Sequence, residues 1–136
     1  MKFESFSVDD TKKIAEKFYS FAKPGQCFAL YGDLGFGKTT FSKFLIQKIS
    51  PKIQEVTSPT FTIIQTYPHI DCEILHVDCY RLKSKDEFYE LGLDEALNTS
   101  ITIIEWPEII HDLLPSSTID IVFQKQIDKI IISSNI

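Results

Sequence analysis

Residues 32–39 are Gly-Asp-Leu-Gly-Phe-Gly-Lys-Thr, and this run fits the spacing G-x-x-x-x-G-K-[ST] of a phosphate-binding loop. Three of the five glycines in the chain lie within its first six positions. Because glycine has no Cβ, its backbone can take positive φ angles and approach an anion closely. We therefore predict that successive N–H groups of this loop, together with the N-terminus of a following helix, bind phosphate groups.

The residues on both sides of the loop give it the structural context that such a loop requires. Residues 27–31, Cys-Phe-Ala-Leu-Tyr, form a short and continuously apolar run, typical of a strand buried on both faces. After the loop, apolar residues recur at helical spacing, at Phe41, Phe44, Leu45 and Ile49. A strand, a glycine-rich loop and a helix in this order favour nucleotide binding over an ordinary glycine turn.

Two side chains at the end of the loop are expected to contact the nucleotide directly. Lys38 is predicted to reach the β- and γ-phosphates, and the hydroxyl of Thr39 to ligate Mg²⁺. GTPases with this loop also carry an N/T-K-x-D segment that binds guanine, and the sequence has no such segment. We therefore expect the nucleotide to be ATP.

The rest of the sequence predicts an α/β fold in which strands and helices alternate. A helix is expected to begin at Ser7 and end before Pro24, and another to cover residues 83–97 with a break near Gly92. Further strands are predicted at residues 60–67, 73–80, 101–104, 119–123 and 130–132. We interpret residues 1–136 as a single P-loop NTPase-like, ATP-binding domain. Its central mixed sheet is flanked by helices and is expected to be antiparallel at one edge.

Two acidic residues stand where predicted buried strands end. Asp78 lies near the end of one apolar run, and Glu105 directly follows another. Because open α/β sheets bind their ligands at the carboxyl ends of strands, Asp78 is a candidate for holding the magnesium shell or orienting the attacking water. Glu105 is a candidate for the same metal–phosphate site. The alternatives are a solvated aspartate at a strand end and, for Glu105, an acid at a helix N-terminus.

Two further features are candidates for lying near the nucleotide. Residues 57–62, which include Thr60, are rich in hydroxyls and lie where P-loop switch proteins often contact the γ-phosphate or its magnesium. The same run is equally compatible with a capped turn followed by strand threonines. Trp106 comes directly after Glu105, and a place in the core is an equally good interpretation of it.

The composition restricts the partners and the environment. Acidic residues outnumber basic ones by 19 to 14, for a net charge of −5, whereas a protein that binds nucleic acid by itself normally shows a basic patch. Any contact with RNA is therefore expected to run through another protein. The sequence shows no signal peptide, no apolar run of membrane-spanning length and, with three cysteines, no disulfide framework. We expect a cytoplasmic protein without a membrane partner.

Five short motifs, taken in order, resemble the TsaE family, also called YjeE, the ATPase subunit of bacterial tRNA threonylcarbamoyladenosine synthesis. They are GDLGFGKTT (residues 32–40), TSPTF (57–61), HVDCYR (76–81), ELGLDE (90–95) and IEWPE (104–108). The phosphate loop alone would be unspecific, whereas the H-x-D-x-Y-R and E-W-P runs make the resemblance specific. The sequence departs from the family pattern at Phe36, where a small residue, commonly alanine, is usual.

The resemblance implies an activity and partners that the residue spacing alone does not show. TsaE-like proteins bind ATP and Mg²⁺ and hydrolyse ATP weakly or not at all on their own. They act with the TsaB–TsaD pair, which transfers a threonylcarbamoyl group to an adenosine beside the tRNA anticodon. The expected enzyme is therefore an ATP hydrolase that its partners stimulate.

The resemblance also assigns roles by position. Thr39 and Glu105 would be the magnesium ligands. Lys38 would be the phosphate lysine, and Asp78 would serve hydrolysis. The ATP-binding residues of the loop would be Gly35, Phe36, Gly37, Lys38, Thr39 and Thr40. Trp106 would lie close to the nucleotide, and Val8, before the first helix, would contact the base.

Two other functions remain open. A small P-loop kinase usually needs a lid with several arginines, and Arg81 is the single arginine of the chain, which argues against a kinase. A nucleotide-gated assembly factor, in which hydrolysis is vestigial, stays open because of the bulky Phe36 and the lack of an obvious arginine finger.

Overall fold

The order of strands and helices follows the alternation that the sequence predicts. The structure, a computed structural model, describes residues 1–33, 35, 37–60 and 63–136. Its strands are β1 (Lys2–Ser5), β2 (Cys27–Tyr31), β3 (Ile64–Pro68), β4 (Glu73–Asp78), β5 (Ile101–Glu105), β6 (Ile119–Lys125) and β7 (Ile130–Ser134). Its helices are α1 (Val8–Lys17), α2 (Lys38–Ile49), α3 (Lys85–Glu90) and α4 (Leu93–Thr99), with 3-10 helices at Phe18–Phe21 and Glu108–Leu113.

The strands form one mixed sheet in the order β1-β7-β6-β2-β5-β4-β3. Strand β2 is parallel to both β6 and β5, and β5 is parallel to β4. Both edges are antiparallel, since β3 pairs with β4 at one edge and β7 lies between β6 and β1 at the other. The α/β class and the mixed sheet are confirmed. The antiparallel edge formed by β3 was not predicted. It follows from the connection between β3 and β4, which is too short for a parallel crossover.

Helices cover both faces of the sheet, and this explains why β2 is apolar along its whole length. On one face, a cluster that includes Phe18, Phe41 and Leu45 joins α1 and α2 to the sheet. On the other face, Phe88 and Leu97 belong to a second cluster, which joins α3 and α4 to the sheet. In β4, Ile74 belongs to the first cluster, and Leu75 and Val77 belong to the second, as expected for a strand whose side chains alternate between faces.

The predicted helix boundaries are confirmed where local signals define them. The side chain of Ser7 caps α1 and accepts a hydrogen bond from the backbone N–H of Asp10 at 3.1 Å. Gly92 has a left-handed φ of 73° and separates α3 from α4, so the predicted break falls where the glycine stands. No helix in the described part of the chain is both long and apolar enough to cross a bilayer.

Strand β1 was not predicted. It pairs with β7 in a register that places Lys2 opposite Ser133 and Ser5 opposite Ile130. Phe3 packs edge-on against Phe18, with 6.2 Å between ring centroids. This strand therefore depends on contacts with residues far away in the sequence.

Candidate functional site

The glycine-rich loop joins the end of β2 to the start of α2, which confirms its predicted context. Gly37 precedes α2 with a left-handed φ of 85°. Gly32 follows β2 with a φ of 144°, and a Cβ there would lie 2.8 Å from the backbone oxygen of Phe123. Glycine is therefore required at position 32, both for its conformation and for its close approach to β6. Phe36, for which we predicted a contact with ATP, lies outside the described residues.

Lys38, at the start of α2, is buried, with 5% of its surface exposed. Its Nζ atom donates a hydrogen bond to the backbone oxygen of Gly32 and lies 3.4 Å from the centre of the Trp106 ring. Burial lowers the pKa of Lys38 below its ordinary value of 10.5. Four nearby carboxylates raise this pKa and partly offset the effect of burial. They are those of Glu105, Glu108, Asp78 and Asp33. A bound anion would favour the charged ammonium, so this position suits a phosphate group.

Two carboxylates lie side by side beyond Lys38, where two parallel strands end. Asp78 and Glu105 are paired across β4 and β5, and both are buried. The Thr39 hydroxyl donates a hydrogen bond to Oε1 of Glu105 at 2.7 Å. Oδ1 of Asp78 accepts a hydrogen bond from the backbone N–H of Tyr80 at 2.9 Å. Burial raises the pKa of Asp78 above its ordinary value.

His76 is a member of this group that the sequence analysis did not assign. It is fully buried on the same face of β4 as Asp78, and its Nε2 atom lies 2.6 Å from Oε2 of Glu105. Strand alternation placed His76 and Asp78 on one face, but the contact with Glu105 depends on the pairing of β4 with β5. A single sequence carries no signal for that contact.

Trp106 is not a core residue. It is only partly buried and has a φ of 56°, a left-handed conformation that is uncommon for a residue with a bulky side chain. Its ring lies 4.9 Å from that of Tyr80, which the sequence analysis did not single out. Strained backbone of this kind is concentrated at functional sites, and here it holds the indole over Lys38.

These side chains surround a cavity of about 480 Å³, which we call the Lys38 cavity. Its lining consists of Gly35, Gly37, Lys38, Thr39, Thr40, Thr60, Asp78, Tyr80, Glu105 and Trp106. The structure thus brings together the described loop residues, both strand-end acids, Thr60 of the hydroxyl-rich segment and the tryptophan, which the sequence proposed separately.

A second cavity, of about 340 Å³, lies against the same loop and is called the Val8 cavity here. Residues 5–8 and 125–130 line it, together with Thr11, Gly35, Gly37, Thr40. Val8 therefore lies beside the loop but not in the Lys38 cavity. Residues 125–130 were not predicted to lie here, because the β6–β7 hairpin reaches this position only through the order of strands in the sheet.

The donor atoms in the Lys38 cavity fit Mg²⁺, which prefers oxygen ligands and usually keeps several waters and substrate phosphates in its shell. Thr39, Asp78 and Glu105 supply a hydroxyl and two carboxylates. Among the described residues, no three His, Cys, Asp or Glu side chains are grouped so as to hold an ion by themselves. An ion here would therefore need ligands from water and from a nucleotide.

Comparisons with known proteins agree on one family. The family model described as "Threonylcarbamoyl adenosine biosynthesis protein TsaE" matches residues 5–131. A protein of Rickettsia bellii with the name tRNA threonylcarbamoyladenosine biosynthesis protein TsaE is 45% identical over 115 residues, which are 85% of this chain and 80% of the relative. The Bacillus subtilis protein of the same name is 38% identical over 126 residues, 92% of this chain and 78% of the relative.

A solved structure shows the same fold. The crystal structure of Bacillus subtilis YdiB superimposes with a TM-score of 0.78 at 34% sequence identity. The match covers 97% of this chain and 82% of that chain.

Proposed function

The chain belongs to the TsaE family, and on this basis we propose that it is a magnesium-dependent ATPase subunit of tRNA threonylcarbamoyladenosine synthesis. It acts with a TsaB–TsaD-type complex, which transfers the threonylcarbamoyl group to an adenosine of tRNA. The family description and the names of the relatives support the pathway. The arrangement of the Lys38 cavity supports nucleotide binding.

One observation carries the proposal of ATP binding: the Lys38 cavity sets a buried amine and a helix N-terminus against two buried carboxylates. Phosphates bind through the Nζ atom of Lys38 and the backbone N–H groups at the start of α2, where the helix dipole favours negative charge. The amine and the helix N-terminus attract phosphate oxygens, and a cation between the phosphates and the two carboxylates would limit their repulsion. The site therefore selects a polyanion.

Thr39 and Glu105 would hold a magnesium ion, with the remaining ligands supplied by water and the phosphates. The hydroxyl oxygen of Thr39 and Oε1 of Glu105 lie 2.7 Å apart, so a single cation could contact both. The ion supplies neutralisation of the charge on the phosphates.

The nucleoside end of ATP occupies the Val8 cavity. The two cavities share Gly35, Gly37 and Thr40, so one ligand can extend from one to the other along the loop. Exposed apolar side chains at Phe6, Val8 and Ile127 provide surfaces on which a base can pack.

Hydrolysis depends on Asp78 and Lys38. The Asp78 carboxylate orients the attacking water, and the Lys38 ammonium stabilises the charge on the phosphates. The chain has a single arginine, so the partner complex supplies the further positive charge that fast phosphoryl transfer needs. Turnover by the isolated chain is therefore slow.

The setting of this activity is the cytoplasm, and tRNA is reached through the partner. All three cysteines are free thiols, as a reducing environment requires. The excess of acidic residues disfavours direct binding to the phosphates of tRNA.

The test is a measurement of ATP hydrolysis and tRNA modification, with and without the cognate TsaB–TsaD pair and with GTP as the control nucleotide. We expect slow hydrolysis by the chain alone, a clear increase with the partners, and little activity with GTP. Partner-independent phosphorylation of a small molecule would instead indicate a kinase. Modification that requires bound ATP but no hydrolysis would indicate a nucleotide-gated assembly factor.

A further inference from the structure

His76 is a fully buried polar side chain that the proposed binding and hydrolysis of ATP do not use directly. It lies in the middle of β4 and does not line either cavity of the site. Burial of an imidazole is costly unless its nitrogen atoms find partners. Its position therefore calls for an explanation.

The partner of His76 is Glu105. The Nε2 atom lies 2.6 Å from Oε2 of Glu105, and since a carboxylate only accepts hydrogen bonds, Nε2 carries the hydrogen. The other ring nitrogen, Nδ1, has no hydrogen-bond partner within the described residues. The bond to Glu105 is thus the polar contact that the described structure gives to this imidazole.

Glu105 is consequently held at both of its carboxylate oxygens. His76 donates to Oε2 from β4, and Thr39 donates to Oε1 from the first turn of α2. Glutamate has three rotatable side-chain bonds, so a carboxylate with one free oxygen could take several orientations in the cavity. With Oε2 bound, Oε1 stays beside the Thr39 hydroxyl.

We infer that His76 is a positioning residue for the cation site: its hydrogen bond to Oε2 fixes the Glu105 carboxylate so that Oε1 meets Thr39. The inference rests on the proposed roles of Thr39 and Glu105 in holding magnesium. Residues that orient a metal ligand in this way typically change metal affinity by roughly 10–100-fold when they are replaced.

Two substitutions of similar polarity separate positioning from packing. In His76→Gln the side-chain amide can reach about as far as Nε2, whereas in His76→Asn the amide ends near the position of Nδ1 and cannot reach Glu105. Thr102→Val is the matched control, because Thr102 is equally buried on the neighbouring strand β5 and its hydroxyl has no hydrogen-bond partner among the described residues.

The measurements are Mn²⁺ affinity of the ADP complex by electron paramagnetic resonance, and ADP affinity by calorimetry with Mg²⁺ or with EDTA. We expect His76→Asn to weaken Mn²⁺ binding at least tenfold and to leave ADP affinity in EDTA unchanged. His76→Gln and Thr102→Val should stay within about threefold of the unmodified chain, on the same scale.

Equal Mn²⁺ affinity in His76→Asn and His76→Gln would overturn the inference. It would also be overturned if Thr102→Val lost as much Mn²⁺ affinity as His76→Asn. Failure of the proposed function looks different. In that case the unmodified chain itself would show the same ADP affinity with Mg²⁺ and with EDTA.

Discussion

The Nζ atom of Lys38 lies 3.4 Å from the centre of the Trp106 ring, and it also donates a hydrogen bond to the backbone oxygen of Gly32. An ammonium over the face of an indole is attracted by the negative charge of the ring face. These two contacts are with neutral groups, and a phosphate that enters the cavity would offer the ammonium a charged hydrogen-bond partner.

Lys38→Ala should weaken ATP affinity at least tenfold, which corresponds to about 1.4 kcal/mol. The substitution removes the ammonium that lines the cavity, while the loop N–H groups remain. Calorimetric titration with ATP measures the change. Lys43→Ala is the control, since Lys43 lies on the same helix but outside the cavity. Equal affinities of the two variants would show that the loop is not the ATP site.

ATP binding should change the fluorescence of Trp106, which is the single tryptophan of the chain. A phosphate that draws Lys38 away from the indole removes a charge from the ring face, and this alters the emission. Titration with ATP and with adenosine provides the measurement. Adenosine carries no phosphate and should leave the emission unchanged. The same response to both ligands would contradict the assignment of the phosphates to the Lys38 cavity.

Glu105→Gln should weaken ATP binding in Mg²⁺ more than in EDTA. The amide keeps the size of the side chain and one acceptor oxygen, but it removes the negative charge that a cation needs. Calorimetry under the two conditions gives the comparison. An equal loss with and without metal would reassign Glu105 to a structural role.

Asp78→Asn should separate binding from hydrolysis. Binding depends mainly on the loop and Lys38, so ATP affinity should change little. Partner-stimulated turnover should fall by about a hundredfold, because the charged group that orients water is lost. Turnover and repeated tRNA modification are measured with the TsaB–TsaD pair. A variant that binds ATP, hydrolyses none and still supports repeated modification would favour the assembly factor over the ATPase.

The same substitution should also stabilise the free protein at neutral pH. Burial raises the pKa of Asp78 above its ordinary value of 3.8, so the folded state loses stability as pH rises through the raised pKa. Asparagine does not ionise, and its oxygen can still accept the bond from Tyr80. We expect the Tm of Asp78→Asn to exceed that of the unmodified chain at pH 7, and by less at pH 4, in thermal unfolding followed by circular dichroism. A larger gain in Tm at pH 4 than at pH 7 would contradict the expected direction of the effect.

Much of the site could be predicted because its signals are local in the sequence. Gly32, Gly37 and Lys38 belong to one continuous motif between a strand and a helix. Asp78 and Glu105 end two apolar strands, and parallel strands bring their carboxyl ends to one edge of a sheet. Their adjacency therefore follows from the order of elements.

The remaining features depend on pairing between distant residues. Strand β1 has the sequence Lys-Phe-Glu-Ser, with one apolar side chain, and it exists through its hydrogen bonds to β7. The contact of His76 with Glu105 needs the register of β4 against β5. The Val8 cavity needs β6 and β7 beside β1. In each of these contacts the two partners lie far apart in the sequence, so no local sequence pattern includes both of them.

The Val8 cavity joins two segments that are far apart in the sequence. Its walls come from residues 5–8 and 125–130, which meet only when β1 and β7 are paired. A ligand that binds there would stabilise the pairing of β1 with β7. It should therefore slow the fraying of both strands and the amide hydrogen exchange within them. The same pairing has a second consequence. Whenever β7 separates from β1, the Val8 cavity loses the wall that residues 125–130 supply, while the segment between β2 and α2 keeps its place in the sheet.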